Sequence, residues 1–280
     1  MGAYLRPSDL DEALRTLAAG PLIPLAGGTD FYPARVGRPL ADNVLDITAL
    51  SGLGEIADAG DHWRIGALVT WSELADADLP PLFDGLKAAA RAIGGVQVQN
   101  AGTLAGNLCN ASPAADGMPN LLALEATVAL RSVRGAREVP VAAFVTGNRR
   151  TVREPDELVT AIRVPKPAAP ARAVFLKLGT RRYLVISIVM VAGVIEAEAD
   201  GRVGRARIAV GACSEVPQRL PALERALIGR PLDPTLAEAV TAAQLAPLAP
   251  IDDVRGTAAY RRDAARTLVR RALAALGGGA

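Results

Sequence analysis

Two short segments carry the residue types from which a phosphate-binding surface is built. Ala26-Gly27-Gly28-Thr29-Asp30 follows an apolar run that starts at Pro21 and takes in Pro24 and Leu25. Consecutive glycines permit positive φ, so successive N–H groups can turn into one concavity. Near a helix start such a nest suits a phosphate, and Thr29 adds a hydroxyl. Thr103-Leu104-Ala105-Gly106-Asn107 repeats the ingredients: a hydroxyl, small residues, a glycine and an amide. It belongs to a stretch of small and turn-forming residues, Ala101 to Leu124, whose one carboxylate is Asp116. A single Gly-Gly after a strand is most often a tight turn. Two such segments in one chain fit a diphosphate held from both sides. There is no G-x-G-x-x-G and no G-x-x-x-x-G-K-[ST], which argues against a Rossmann site and a nucleotide triphosphatase.

The rest of the reactive inventory is sparse. Cys109 and Cys213 are the two cysteines, too few for a disulfide framework or for the four thiolates of an iron–sulfur cluster. Cys109 reads as a small buried loop residue. His62 is the one histidine, so a histidine-rich metal site is excluded within this chain; its AGDHW setting predicts a solvated turn. In a chain of 280 residues, half of them hydrophobic, a net charge of +2 lends no support to nucleic-acid binding. The first residues lack the apolar core of a signal peptide, and the most apolar stretch, Leu184 to Ile195, is too short to cross a bilayer. The expectation is a cytoplasmic protein with no membrane insertion.

These segments need elements to hold them. Ser8 or Asp9 caps a predicted helix with apolar positions Leu10, Ala13, Leu14 and Leu17, ended by Gly20. A strand to Leu25, a short helix from Phe31 and a strand over Asn43 to Ile47 complete a small α/β lobe of about 55 residues. Next come a strand at Trp63 to Ala67, a capping box at Thr70 and Glu73, and a helix over Leu82 to Ile93. The stretch from Ala101 ends in a predicted helix near Asn120 to Leu124, and strands at Thr127 to Val133 and Leu158 to Val164 follow. Val164 to Arg172, with three prolines, reads as a linker. Beyond it, strands at Ala173 to Leu178, Ile186 to Glu198 and Val203 to Val210, the last two joined at Asp200-Gly201, precede helical stretches from Pro221, Pro234 and Gly256. That order predicts an α+β second domain. The terminal GGGA is expected to fray.

At this point the chain resembles a known family, the FAD-binding medium subunit of molybdenum hydroxylases, the group of xanthine dehydrogenase and carbon monoxide dehydrogenase. AGGTD resembles the family's first FAD motif, and QVQNAGTLAGNLCNASPAADGMPNLLAL, from Gln97, its longer second one. RIGALVTWSEL from Arg64, FLKLGTRR from Phe175 and YRRDAARTLVRRAL from Tyr260 resemble other family segments. The resemblance implies an α+β fold: a two-lobed FAD-binding domain over 1–165, related to that of vanillyl-alcohol oxidase, with lobes of about 1–55 and 56–165. A C-terminal domain over 172–280, with a small antiparallel sheet and helices, follows.

It also implies a site. The FAD pyrophosphate falls on Pro24 to Asp30 and on Thr103 to Asn107. Asp116 stands at a cofactor-contacting acid, where it suits ribityl hydroxyl groups. Ile93 falls where some relatives place an aromatic ring against the isoalloxazine, so here it packs without stacking. Lys177 falls near the flavin, where a cation would stabilise the reduced anion, and Leu158 at the ring edge. Relatives often carry an acid shortly after the FLKLGTRR segment; this chain has Tyr183-Leu184-Val185-Ile186. The implied activity is that of an oxidoreductase subunit carrying electrons through FAD. A large molybdenum-binding subunit and a small subunit with 2Fe-2S clusters are the implied partners, in a heterotrimer or its dimer. A stand-alone flavin-dependent oxidoreductase of similar fold, a protein that kept the fold and lost the flavin, and a nucleic-acid role for the arginine-rich last helix are the alternatives.

Overall fold

The computed structural model describes residues 2–278. The first lobe is built on a three-stranded parallel sheet of β1 (Tyr4–Leu5), β2 (Ile23–Leu25) and β3 (Val44–Asp46), with β3 in the centre. Helix α1 (Leu10–Ala19) crosses between β1 and β2. The Asp9 carboxylate caps it by accepting from the Glu12 N–H at 2.9 Å. Its buried face, Ala13, Leu14 and Leu17, meets Leu45, Ile47, Leu50 and Leu53, and also Leu158 from the second lobe. The helix expected from Phe31 is a single 3-10 turn, Pro33–Arg35.

The second lobe holds a five-stranded antiparallel sheet. Its order is β4 (Ile56–Asp58), β5 (His62–Gly66), β10 (Leu158–Pro165), β6 (Thr127–Ser132) and β7 (Gly135–Pro140). The chain between β5 and β6 forms five helices: α2 (Trp71–Asp76), α3 (Asp84–Ala92), α4 (Val96–Ala101), α5 (Leu104–Asn110) and α6 (Gly117–Ala123). Thr70 and Glu73 form the expected capping box, with Thr70 N–H donating to Glu73 Oε2 at 2.8 Å. A short helix α7 (Val141–Phe144) and the hairpin of β8 (Val145–Gly147) and β9 (Arg150–Thr151) lie between β7 and β10.

After Pro165 the chain enters a four-stranded antiparallel sheet, β11 (Ala171–Leu178), β12 (Val189–Ala197), β13 (Val203–Gly211) and β14 (Gln218–Arg219). Helices α8 (Pro221–Leu227) and α9 (Ala258–Gly277) follow. The stretch expected to be helical from Pro234 forms two 3-10 segments instead, Pro234–Ala239 and Ala242–Leu245. Strand β12 is covered on both faces. Met190, Ala192 and Val194 join the core built around α3 and α6, while Val189, Val191 and Ile195 join Leu268, Val269 and Ala272 of α9. Burial on both sides explains its unbroken apolar run. Gly193 lets α9 approach, since a Cβ there would lie 2.9 Å from Leu276 Cδ1. Of the terminal GGGA, Gly277 ends α9 against the Asp233 carbonyl, with no room for a Cβ, and Gly278 is its cap. Gly279 and Ala280 lie outside the described residues.

Candidate functional site

Between the lobes lies a cavity of about 1110 Å³, at or above the upper end of the ~300–1,000 Å³ usual for small-molecule sites. The turn after β2 forms one wall. Gly28 sits at φ +66°, the left-handed region, with Tyr32 against its open side. Gly27 is a close approach: a Cβ there would overlap the carbonyl of Ala101, the last residue of α4. Next to it, a Cβ on Gly102 would lie 3.2 Å from the Thr29 hydroxyl. The two glycine-bearing segments, more than seventy residues apart, are therefore in backbone contact. Among the described residues, the N–H groups of Gly27, Gly28, Thr29 and Asp30 have no hydrogen-bond acceptor within the chain. Such groups require a partner from outside when they are covered.

The second segment differs from its sequence reading. Leu104 to Asn110 is a helix, not an open turn, and Thr103 is its cap, its hydroxyl accepting from Gly106 N–H at 2.9 Å. Leu104 N–H donates to Val69 O at 3.2 Å, and Asn107 N–H to Thr103 O at 3.0 Å. Only Thr103 and Ala105 are left with uncommitted N–H groups here. A left-handed turn signal and a helix cap use the same small polar residues, which is why the sequence did not separate them.

Fourteen of the sixteen residues expected at the site line this cavity: Pro24, Leu25, Ala26, Gly27, Gly28, Thr29 and Asp30; Ile93; Thr103, Ala105, Gly106 and Asn107; Asp116 and Leu158. Leu104 does not; its side chain is fully buried in the core. Lys177 does not either. Its ammonium donates to Asp116 Oδ2 at 2.8 Å, with both side chains nearly sealed from solvent. The other carboxylate oxygen, Oδ1, accepts from Ser187 Oγ at 2.7 Å. Burial pushes the Asp116 carboxyl above its usual range, while Lys177 and Ser187 pull it back. Asn107 holds the neighbouring backbone, its Oδ1 accepting from Gly117 N–H at 3.2 Å.

Arg35, Arg149 and Arg153 are lining residues that escaped the sequence reading. Phe31 and Arg35 come from the segment after the first turn, the guanidinium lying 3.7 Å from the Phe31 ring centroid and ion-paired to Asp42. Arg149 and Arg153 come from the β8–β9 hairpin and the loop after it. Leu184, Val185 and Ile186 border the cavity from the loop between β11 and β12, and Leu184 stands against Gly95. Leu184 is in the left-handed region at φ +52°, held by Arg181 donating to its carbonyl. The arginines were visible as residues, but nothing in their spacing aimed them at a cavity. The Tyr183 to Ile186 run was placed beside the site by the resemblance, where relatives often carry an acid, and three of its four residues line the cavity.

Cys109 also lines the cavity, from a helix rather than a loop and half-buried rather than buried; desolvation pushes its thiol up to about 11, so it stays a neutral thiol. His62 is not in a solvated turn. It opens β5, with Nε2 accepting from Arg163 Nε at 2.7 Å and Nδ1 2.5 Å from Asp61, away from the cavity. Among the described residues there is no cluster of three metal-ligating side chains and no helix long and apolar enough to cross a membrane.

Comparison with known proteins agrees with this geometry. Residues 1–167 match the family described as the FAD binding domain in molybdopterin dehydrogenase, and residues 175–276 match the CO dehydrogenase flavoprotein C-terminal domain. The nicotine 6-hydroxylase medium subunit of Paenarthrobacter nicotinovorans is 31% identical, over 98% of this chain and 96% of its own. The glyceraldehyde dehydrogenase medium chain of Sulfolobus acidocaldarius is 32% identical over 96% of each. A chain of the reconstituted CO dehydrogenase from Oligotropha carboxidovorans superposes with a TM-score of 0.89 at 28% identity, over 99% of this chain and 98% of that one. A two-lobed α+β fold, a cavity walled by uncommitted amides and family matches along nearly the whole length lead to one conclusion: the chain belongs to the FAD-binding flavoprotein subunits of the molybdopterin dehydrogenases, and is an oxidoreductase subunit.

Proposed function

We propose that this chain holds FAD between its lobes and is the point at which electrons leave a multi-subunit molybdenum hydroxylase for an external acceptor. A large subunit would carry the molybdenum centre and a small one the 2Fe-2S clusters, in a heterotrimer or its dimer. The observation that carries the reading is the row of unpartnered N–H groups at Gly27 to Asp30, which line a large cavity in contact with the Thr103 segment. A doubly charged diphosphate satisfies such amides with charge-assisted hydrogen bonds, roughly twice as strong as neutral ones.

Each remaining residue then has a task. Thr103 and Ala105 offer the second set of amides. Asp116 accepts from ribityl hydroxyl groups with the lone pairs that Lys177 and Ser187 leave free. Ile93 and Leu158 pack against the ring system, and Leu184 to Ile186 shield its open side from water. When bound, the FAD supplies the interchange between single electrons and electron pairs; the protein supplies binding, orientation and electrostatics. The FAD-binding part is assigned to 1–165 and the C-terminal part to 172–280.

A stand-alone flavoenzyme needs its own acid/base pair. In the second part, Glu215 and Tyr260 carry groups that could serve as an acid and a base, but neither lines the cavity, and Glu215 is tied to Arg150 at 2.9 Å. The test is cofactor uptake. The purified chain should take up one FAD with the visible flavin spectrum, and partner chains should copurify with it. No uptake, even with those partners present, overturns the reading.

A further inference from the structure

Lys177 and Ser187 stand at the two roots of one loop. In the β11–β12 ladder, Lys177 lies opposite Met190 and Leu178 opposite Val189, and Ile188 N–H donates to Leu178 O at 2.8 Å. The chain between these rungs contains Leu184 to Ile186, which border the cavity. Both roots converge on one side chain at the start of α6, in the helical layer of the second lobe. Asp116 takes Lys177 on Oδ2 and Ser187 on Oδ1, at 2.8 and 2.7 Å. Its backbone is fixed as well: its carbonyl accepts from Asn120 Nδ2 at 3.1 Å, and the next N–H is held by Asn107. Asp116 lines the cavity, whereas neither Lys177 nor Ser187 does. Ser187 is 2% exposed and the Lys177 side chain 9% exposed, so neither is free to swing into solvent.

We infer that Lys177 and Ser187 are positioning residues for the cofactor: they act through Asp116, aiming its carboxylate into the cavity and fixing the root of the 179–186 loop, rather than touching the ring system. This rests on the FAD reading above. A carboxylate has about four acceptor sites. Here two are spent on internal donors that set its orientation, and the rest are presented to ligand hydroxyls. The ammonium also neutralises the carboxylate, so that Asp116 can stand in the same cavity as a diphosphate. A serine so far from either glycine-bearing segment thereby becomes part of the binding apparatus.

The test is a set of FAD titrations on the full apo chain, read by flavin fluorescence, for K177M, S187A, D116N, K177M/D116N and S187A/D116N. Wild-type binding is the control that bears on the FAD reading itself; without it, that reading fails and not this one. With Asp116 present, K177M should weaken FAD binding by at least about tenfold and S187A by about three- to tenfold, the cost of freeing one charged hydrogen-bond partner. In the D116N background each should change binding by less than about twofold, since a residue that acts only through another has nothing left to act on. The midpoint potential of bound flavin should be equal in D116N and K177M/D116N. Equal losses in both backgrounds, or a potential that falls when Lys177 is removed from D116N, would place Lys177 on the flavin and overturn the inference. So would variants that lower apo-protein stability while binding FAD as tightly as wild type. If K177M does not fold, the two S187A comparisons decide alone.

Discussion

Asp116 and Lys177, 61 residues apart in the chain, meet at 2.8 Å with side chains 6% and 9% exposed. One comes from the helical layer of the second lobe and the other from the second sheet, so the pair joins two parts of the fold at the cavity wall. Removing one member strands the other. K177M should destabilise the apo chain by about 3–5 kcal/mol, the usual cost of an uncompensated buried charge. K177M/D116N should recover most of that loss, and urea unfolding distinguishes the two. Burial already pushes the Asp116 carboxyl upward. A carboxyl whose folded pKa lies above its unfolded value binds a proton more readily when folded, so stability rises as pH falls through that folded value. The deficit of K177M should therefore shrink on acidification from pH ~7 towards the unfolded carboxylate value near ~4. A deficit that stays constant across that range would mean that no buried charge is left behind.

Gly27 and Gly106 should behave differently, although both sit in the cavity wall. A methyl on Gly27 meets the Ala101 carbonyl, which is backbone and cannot rotate away. G27A should keep its far-UV circular dichroism yet bind FAD roughly 100-fold more weakly, as the loss of about two charge-assisted hydrogen bonds would give. A methyl on Gly106 meets only the Thr103 hydroxyl, at 2.8 Å, inside a helix where alanine is favoured by about 0.8–1.0 kcal/mol. G106A should retain the fold and lose less than about fivefold in affinity. The reverse order of effects would show that the second segment, not the first, makes the closer approach.

How much of this was legible in the sequence depends on how local the signal was. Asp9 and Thr70 were readable, because a cap acts within three residues of itself. Strand β12 was readable from its apolar run, and the Asp200-Gly201 turn from its glycine, which sits at φ +79°. Strand β7 was not, because its residues are almost all exposed and carry no alternation. At the site, the glycines of the first turn could be read from residue type, and the family resemblance put most of the other lining positions in place. What neither predicted was tertiary. That Lys177 stops at Asp116, that Ser187 completes the contact, and that Arg149 reaches the same cavity all follow from strand pairing and helix packing between distant segments.

Glu157 gives a pH dependence with the opposite sign. It precedes Leu158 in the cavity wall and receives Arg137 on both oxygens, at 2.6 and 2.7 Å. That guanidinium, with the Glu154 N–H at 2.8 Å, holds its carboxyl below the usual range. A depressed folded pKa contributes stability that is fully present above the unfolded value and lost as pH falls through the folded one. The Arg137 side chain is 42% exposed, so solvent screening limits the pair. E157Q should lower the melting temperature by a few degrees at pH 7, on the order of 1 kcal/mol. The gap from wild type should begin to narrow below about pH 4 and close only below the folded value, which lies lower still. A gap that does not narrow at all between about pH 5 and about pH 3 would mean that Glu157 acts through packing and not through its charge.

Arg261 ties the last helix to the strands behind the site. It is 3% exposed, and its guanidinium donates to Ile188 O at 2.8 Å, to Ala212 O at 3.0 Å and to Asp253 Oδ1 at 2.6 Å. The first acceptor ends the β11–β12 loop one residue after Ser187; the second follows β13. A planar fork can serve three acceptors lying in different directions, and an ammonium on a flexible stem cannot hold the same arrangement. R261K should therefore leave at least one buried carbonyl unpaired and cost about 1–3 kcal/mol. Native-state hydrogen exchange should locate the damage: amides of residues 187–190 and 211–213 should exchange faster, while those of β6 and β10 keep their protection. FAD affinity should fall with it, because the Ser187 hydroxyl loses its fixed approach to Asp116. Faster exchange spread evenly over the chain, or FAD binding indifferent to R261K, would show that Arg261 staples the fold without reaching the site.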